Sequence, residues 1–400
     1  MSAALAALSL AALVLAIWLA LVFGRGMFWL CRDRDDASAS PAPSSWPAVA
    51  AVIPARDEAD VIASSLSSLL AQDYPGPFSI VLVDDQSSDG TGPAAKACAK
   101  NSAHPDRLAV LDGAALPPGW AGKLWAVSQG VRFAEAQFKP KYLLLTDADI
   151  AHAPNNLREL VARAEQGGYG LVSLMARLRC DSFAEKLLVP AFVYFFQMLY
   201  PFRWVSDASA RTAGAAGGCM LASADSLARV GGVESIAGAL IDDCALGAEI
   251  KRVAPIWLGL TGRVVSLRPY PHFDDIRKMV ARSAYAQLHY SPLMLFGAIF
   301  GMVLTYFAPL GLALFAEGFA RLGGVAAFAL MSLSFWPIQR FYGLSSARAL
   351  TLPLIAALYM VYTLDSALQY FSGRGGMWKG RAQAHADKLH ADRAHQVERS

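Results

Sequence analysis

Charge is scarce in this sequence, and paired cysteines are absent. Asp, Glu, Lys and Arg make up 17% of 400 residues against 55% hydrophobic, and the mean hydropathy is +0.36. So low a charged fraction is unusual for a wholly soluble chain, and a membrane component is expected. The formal charge of +3 is small and its Lys and Arg are scattered, which argues against a nucleic-acid partner. The five cysteines, Cys31, Cys98, Cys180, Cys219 and Cys244, are odd in number, far apart and never in a CxxC pair. That pattern argues against a disulfide framework and a zinc site, and fits a reducing compartment. Familiar phosphate and hydrolase motifs are missing too. No GxGxxG follows the first apolar run, which reads VIPARDEAD, and no GxxxxGK[ST] occurs, since Gly122 and Lys123 precede Leu124 without the upstream glycine. There is no HExxH or GxSxG, and the seven histidines show no metal-ligand spacing, so His272 and His289 read as surface or core residues.

What the chain does have is a set of long apolar runs at its two ends. Residues 3–24 carry no charge, and as a helix they would reach roughly 33 Å, enough to cross a bilayer core of about 30 Å. We assign 1–24 as a transmembrane anchor; a cleaved signal peptide fits less well, because no basic segment precedes the run and it is too long. Arg25, Arg32 and Arg34 follow at once, which places the next segment in the cytoplasm by the positive-inside tendency. A Ser, Ala and Pro-rich linker occupies the end of 25–45. Apolar runs return over 291–372 as two or three membrane segments (293–316, 322–338 and 349–372), followed by a basic tail, 373–400. Three spans would leave the tail outside, whereas Arg374, Lys379, Arg381, Lys388, Arg393 and Arg399 favour the inside.

Between these ends, 46–290 reads as a folded domain. Apolar runs bounded by turn signals, at 48–54, 79–85, 107–113, 141–149 and 170–175, alternate with helical patterns at 57–72 and 122–138. Strand, helix, strand order at this spacing predicts an α/β fold with a mostly parallel sheet and helices on both faces. In such sheets ligands bind beyond the carboxyl ends of the strands. One stretch inside the region, 183–204, is both apolar and aromatic; a buried core helix and a helix lying in the membrane interface are both open readings, with a full span hampered by Pro190 and Pro201.

The acidic residues cluster where predicted strands end. Asp84 and Asp85 close SIVLVDD, and Asp147 and Asp149 close KYLLLTDAD. A single Asp after a strand is ordinarily a helix cap or turn residue. Two such pairs in one sheet point instead to carboxylates that bond a base or ribose and to a D-x-D pair that holds Mg²⁺ or Mn²⁺ through oxygen. Such a cation would neutralise a diphosphate leaving group. Asp242 and Asp243 form a third pair at the start of a helical stretch, where acids also stabilise the helix N-terminus. A carboxylate there could act as general base. Lys123 could meet a phosphate or be a plain solvated lysine.

Taken together, VIPARDEADVIASSLSSLLAQDYP, IVLVDDQSSDGT, LLTDADI, GGCML and IDDCALGAEIKR resemble the GT-A glycosyltransferases of family 2 over about 50–253. The flanking apolar segments resemble those of the ceramide glucosyltransferase-like and hopene-associated branches. The resemblance implies a uridine site at Pro54, Ala55, Arg56 and Glu58, with Asp84 and Asp85 near the base and ribose. It implies that Asp147 and Asp149 bind the metal, Asp149 being the direct ligand, and that Asp243 is the catalytic base, with Asp242 in place of the usual Glu. Gly217 and Gly218 match a turn near donor sugar and acceptor, where small residues allow close backbone approach. The QxxRW signature of polymerising relatives is reduced to Met279–Ser283, which keeps Arg282; that residue could approach the diphosphate or lie at the membrane surface. The expected protein is a multi-pass inner-membrane enzyme, facing the cytoplasm, that takes a UDP-sugar and a lipid acceptor. A polyprenyl-phosphate acceptor and a catalytically silent membrane scaffold are the rival readings. Sugar, lipid and oligomeric state are not encoded in any motif.

Overall fold

The computed structural model describes residues 3–37, 40–372, 377–378 and 381–382. The basic tail lies outside these, apart from a short antiparallel pairing of Met377–Trp378 with Arg381–Ala382. The chain divides into two compact units. One comprises Met1–Arg32, Cys180–Arg203 and Tyr270–Gly375; the other comprises Asp33–Arg179, Trp204–Pro269 and Gly376–Ser400. Within 46–290, residues 180–203 and 270–290 belong to the first of these units and the rest to the second.

In the helical unit, α1 (Ala3–Gly24) is a single uninterrupted helix. The elements of the other unit follow it in the chain: β1 (Val49–Ala55), α2 (Ile62–Leu70), β2 (Phe78–Asp84), α3 (Thr91–Lys100), β3 (Leu108–Asp112), α4 (Gly122–Phe138), β4 (Tyr142–Thr146), β5 (Ile150–His152), α5 (Asn156–Gly167) and β6 (Leu171–Arg177). After α6 (Phe183–Leu199) and α7 (Phe202–Ser206) come β7 (Cys219–Ser223), α8 (Ala224–Arg229), α9 (Asp242–Lys251) and β8 (Ile256–Ser266). The chain then returns to the helical unit with α10 (Phe273–Ala281), α11 (Pro292–Met302), a π-helical turn at Val303–Phe307, α12 (Ala308–Phe315), α13 (Gly318–Phe341) and α14 (Leu352–Phe371).

Eight strands form one mixed sheet in the order β3-β2-β1-β4-β7-β6-β8-β5. The first four are parallel, as expected, and the direction reverses at β4–β7, where Thr146 pairs with Cys219. β1 is buried throughout, which is why it reads as an unbroken apolar run rather than an alternating one. Its alternate residues serve opposite faces. Ala51 and Ile53, with Ile80 and Leu82 of β2, join Ile62, Leu66 and Leu69 of α2 and Leu160 of α5 in one core. On the other face α4 comes so close that a Cβ on Gly130 would stand 2.5 Å from Val52 Cγ1 and 3.1 Å from Val83 Cγ2. The helices therefore cover both faces of the sheet.

The helical unit holds four helices long and apolar enough to cross a membrane among the described residues: Ala3–Gly24, Pro292–Phe315, Gly318–Phe341 and Ser346–Phe371. The middle C-terminal helix, short as an apolar run, is 24 residues long. Proline leaves its signature within Pro292–Phe315. Pro309 has no N–H for the carbonyl of Thr305, and the indole N–H of Trp18 donates to that carbonyl at 2.8 Å. The stretch 183–204 is no core helix of the sheet: Tyr194 hydroxyl bonds Ser334 at 2.8 Å, and Gln197 donates to the Phe28 carbonyl at 3.1 Å, both within the helical unit. Asp365, an acid within an apolar helix, accepts from Arg277 of α10 and from Gln369.

Candidate functional site

At the carboxyl edge of β1 and β2, two loops brace each other. The helix expected from 57 begins only at Ile62 because residues 57–59 are spoken for: their N–H groups donate to Ser87 Oγ at 3.0 Å, Thr91 Oγ1 at 2.9 Å and Asp89 Oδ2 at 2.9 Å. Asp57 and Gln86 sit in the left-handed region, with φ of 50° and 58°. Non-glycine residues rarely hold that conformation, and where they do the surroundings must enforce it. Arg56 donates to the Asp85 carbonyl and lies 3.7 Å from its carboxylate, which is fully buried. Asp84 closes the turn, accepting the Ser87 N–H at 3.0 Å.

Next along the edge, Lys123 gathers three acids. It is the second residue of α4, and its Nζ lies 2.9 Å from Asp147, just past β4, and 3.0 Å from Asp242, the first residue of α9. Asp243 accepts from the Gly217 N–H at 2.8 Å and from the Cys244 N–H at 2.7 Å. A Cβ on Gly217 would stand 3.3 Å from Asp243 Oδ2 and 3.5 Å from Lys123 Nζ, so glycine lets the backbone reach the carboxylate. Burial, and then the charge of Asp242, push the Asp243 carboxyl up to about 6, with Lys123 pulling the other way. Burial likewise raises Asp147, against the pull of Lys123. Although burial opposes its charge, Lys123 is held above the ordinary lysine range by the acids around it.

A second cation was not anticipated. Arg268, two residues past β8, donates from Nε to Asp149 at 2.7 Å and from one Nη to both carboxylate oxygens of Glu58 at 2.7 Å. Burial works against its charge, but Asp149 and Glu58 hold it above the ordinary arginine value. The backbone repeats the link, since the Leu267 N–H donates to the Asp149 carbonyl at 2.7 Å.

Under this edge lies a buried polar chain, also unanticipated. Thr146 donates to the Gly218 carbonyl at 2.8 Å and accepts from His152 Nε2 at 3.0 Å, while Asn156 donates to His152 Nδ1 at 3.0 Å. Burial takes the imidazole down to about 3, so it is neutral and each ring nitrogen has one role. The chain ties the end of β4, which leads into Asp147, to the turn at Gly217 and Gly218.

Most sequence-nominated residues thus lie along one edge: Arg56, Glu58, Asp84, Asp85, Lys123, Asp147, Asp149, Gly217, Asp242 and Asp243. Pro54 lines a small cavity with Lys123, Asp147, Gly217 and Asp242, and Ala55 pairs with Asp84 in β1–β2 register. Gly218 packs against Ile150 and Ala176. Arg282 belongs to the helical unit, at the C-terminal cap of α10. Among the described residues no group of three or more His, Cys, Asp or Glu is placed to hold a metal. Asp147 and Asp149 supply two carboxylates, which suits a hard cation that completes its shell with substrate phosphates and water.

The mixed sheet with helices on both faces is a GT-A fold. Residues 50–230 match the family model described as Glycosyl transferase family 2. Among solved structures, the mannosyltransferase PcManGT from Pyrobaculum calidifontis, in complex with GDP-Man and Mn²⁺, aligns at a TM-score of 0.52 with 20% identity, covering 91% of this chain and 99% of its own. Residues 1–349 of TarS from S. aureus, in complex with UDP-GlcNAc, align at a TM-score of 0.38 with 14% identity, covering 82% and 92%. No curated protein matches the chain.

Proposed function

We propose that the protein is an inverting, metal-dependent glycosyltransferase that moves a sugar from a UDP-sugar to a hydroxyl of a membrane lipid at the cytoplasmic face of the inner membrane, in the manner of the hopene-associated and ceramide glucosyltransferase-like branches. The observation that carries this reading is the junction at Lys123, where one ammonium joins Asp147 to Asp242 beside Asp243. Three acids from two distant segments, with a cation among them, suit a diphosphate next to a base. Asp147 and Asp149 would hold Mg²⁺ or Mn²⁺, which when bound neutralises the leaving diphosphate.

The chain's own residues do the rest. Arg56, Glu58 and Asp85 face the nucleoside, and Lys123 offers its charge to the phosphates. Asp243, whose two backbone hydrogen bonds fix its carboxylate, takes the proton of the acceptor hydroxyl as that oxygen attacks the sugar carbon. A single displacement of this kind inverts the anomeric centre. The lipid acceptor is supported by the four helices long and apolar enough to span a bilayer. Arg25, Arg32 and Arg34 after α1 support the cytoplasmic orientation.

The deciding experiment incubates the full chain in detergent with UDP-sugars, GDP-mannose and extracted membrane lipids, and weighs the products. A lipid heavier by one sugar, with inverted anomeric configuration, is expected. Sugar on polyprenyl phosphate would name the rival acceptor. Absence of both, with no nucleotide diphosphate released from any donor, would leave the scaffold reading. In a calorimetric titration of UDP with and without Mn²⁺, Asp149→Ala is expected to weaken metal-dependent donor binding by at least about tenfold, since loss of even an outer-shell partner of a metal ligand costs about 10–100-fold. An unchanged Mn²⁺ titration would remove Asp149 from the metal site.

A further inference from the structure

Arg268 raises a question that the proposed reaction leaves open. The acid expected to bind the cation, Asp149, already carries a guanidinium on its Oδ2 at 2.7 Å. A positive charge that close repels a divalent ion and covers one of the oxygens the ion needs. The same guanidinium holds Glu58 by both oxygens at 2.7 Å, so it keeps an anchor if its bond to Asp149 opens. Its side chain is neither sealed in nor free, at 31% exposure, while that of Asp149 is 15% exposed.

Resting on the glycosyltransferase reading, we propose that Arg268 is an internal counter-cation for Asp149, which the metal displaces, with Glu58 as the pivot. Before donor arrives, the guanidinium bridges the Asp149 and Glu58 carboxylates. When the nucleotide sugar brings its phosphates, the guanidinium gains a new anionic partner and gives up Asp149 to the metal. Metal and donor therefore bind as a coupled pair, each tightening the other by the same factor. Arg268 acts through Asp149 and is a positioning residue.

The test measures Mn²⁺ binding by electron paramagnetic resonance on the full-length protein in detergent, with and without UDP. In Arg268→Gln the Mn²⁺ dissociation constant without UDP is expected to fall by about tenfold, the scale of one nearby unit charge in a partly solvated site. The tightening produced by UDP is expected to shrink correspondingly. Arg268→Lys, which keeps the charge, is expected to stay near wild type. Equal Mn²⁺ affinity in wild type and Arg268→Gln overturns the counter-cation role and leaves the glycosyltransferase reading standing; no Mn²⁺ binding to either, even with UDP, overturns both. Should Arg268→Gln not fold, the wild type still decides. Phenylglyoxal labelling of Arg268, mapped by mass spectrometry, is expected to rise several-fold on adding Mn²⁺, and no rise overturns the proposal.

Discussion

Asp243→Asn is expected to lower kcat by about 10³-fold, within the range for loss of a general base, while UDP binding stays within about twofold. The reasoning is steric as well as chemical. Asparagine has the same shape, so the Gly217 turn and the first turn of α9 keep their places, but it has one acceptor oxygen where the aspartate used two. Either the Gly217 or the Cys244 N–H loses its partner, at a cost to stability of about 1 kcal/mol. Initial rates, UDP calorimetry and a thermal melt separate the three effects. Full activity in the variant would falsify the base assignment. The wild-type pH profile checks the same group independently. The carboxyl is pushed up to about 6 and must be ionised to accept a proton, so kcat/KM is expected to fall tenfold per pH unit below that value and to level off above it.

The second large effect is expected at Lys123. Lys123→Met removes the cation shared by Asp147 and Asp242 and felt by Asp243. Three carboxylates then repel one another, and the nucleotide diphosphate loses a positive partner. UDP affinity should drop by at least about tenfold, the worth of one charge-assisted contact. Stability should fall on the order of 2 kcal/mol, between the ~1 of exposed pairs and the ~3–5 of buried ones. Both effects have a sign in pH. Lys123 lowers Asp147 and Asp243, so its removal raises both carboxyls, and the acid limb of kcat/KM moves upward from about 6. The stability loss is largest where the acids are ionised and shrinks as pH falls and they take up protons. Melting temperatures of the two proteins that stay equally far apart from pH 5 to pH 8 would contradict this account.

The parts of the fold legible in the sequence were those whose signal is local. The continuous apolar runs of the first three strands lie within a residue of β1, β2 and β3, the fourth run starts a residue before β4 and overruns its end by three, and α4 spans the predicted 122–138. Parallel strands buried on both faces write themselves as unbroken runs. What stayed hidden depended on partners far away. β7 has five residues, too few to show a period, and is marked in the sequence only by GGCML. β8 runs for 11 residues, but two glycines, a threonine and an arginine break its apolar pattern, so nothing in the sequence marks Arg268 as a strand-end cation. Its partner Glu58 is 210 positions away. The acids themselves were visible because they close strands, whereas their mutual arrangement through Lys123 and Arg268 was not, because no spacing encodes which cation folds back onto which pair. His152 escaped notice for a related reason: one histidine in an ordinary stretch has no pattern, and its role comes from burial beside Thr146 and Asn156.

The reversal of strand direction at β4–β7 has a consequence for how this protein comes into being. Because the edge that carries Asp147 and Asp149 is completed by a turn and a strand contributed much later, its negative charges are synthesised well before the last positive one. A nascent chain halted before β8 would hold Asp149 and Glu58 without the guanidinium that joins them in the finished fold. The emergence of residue 268 from the ribosome is thus the moment at which Asp149 and Glu58 first meet the guanidinium that bridges them.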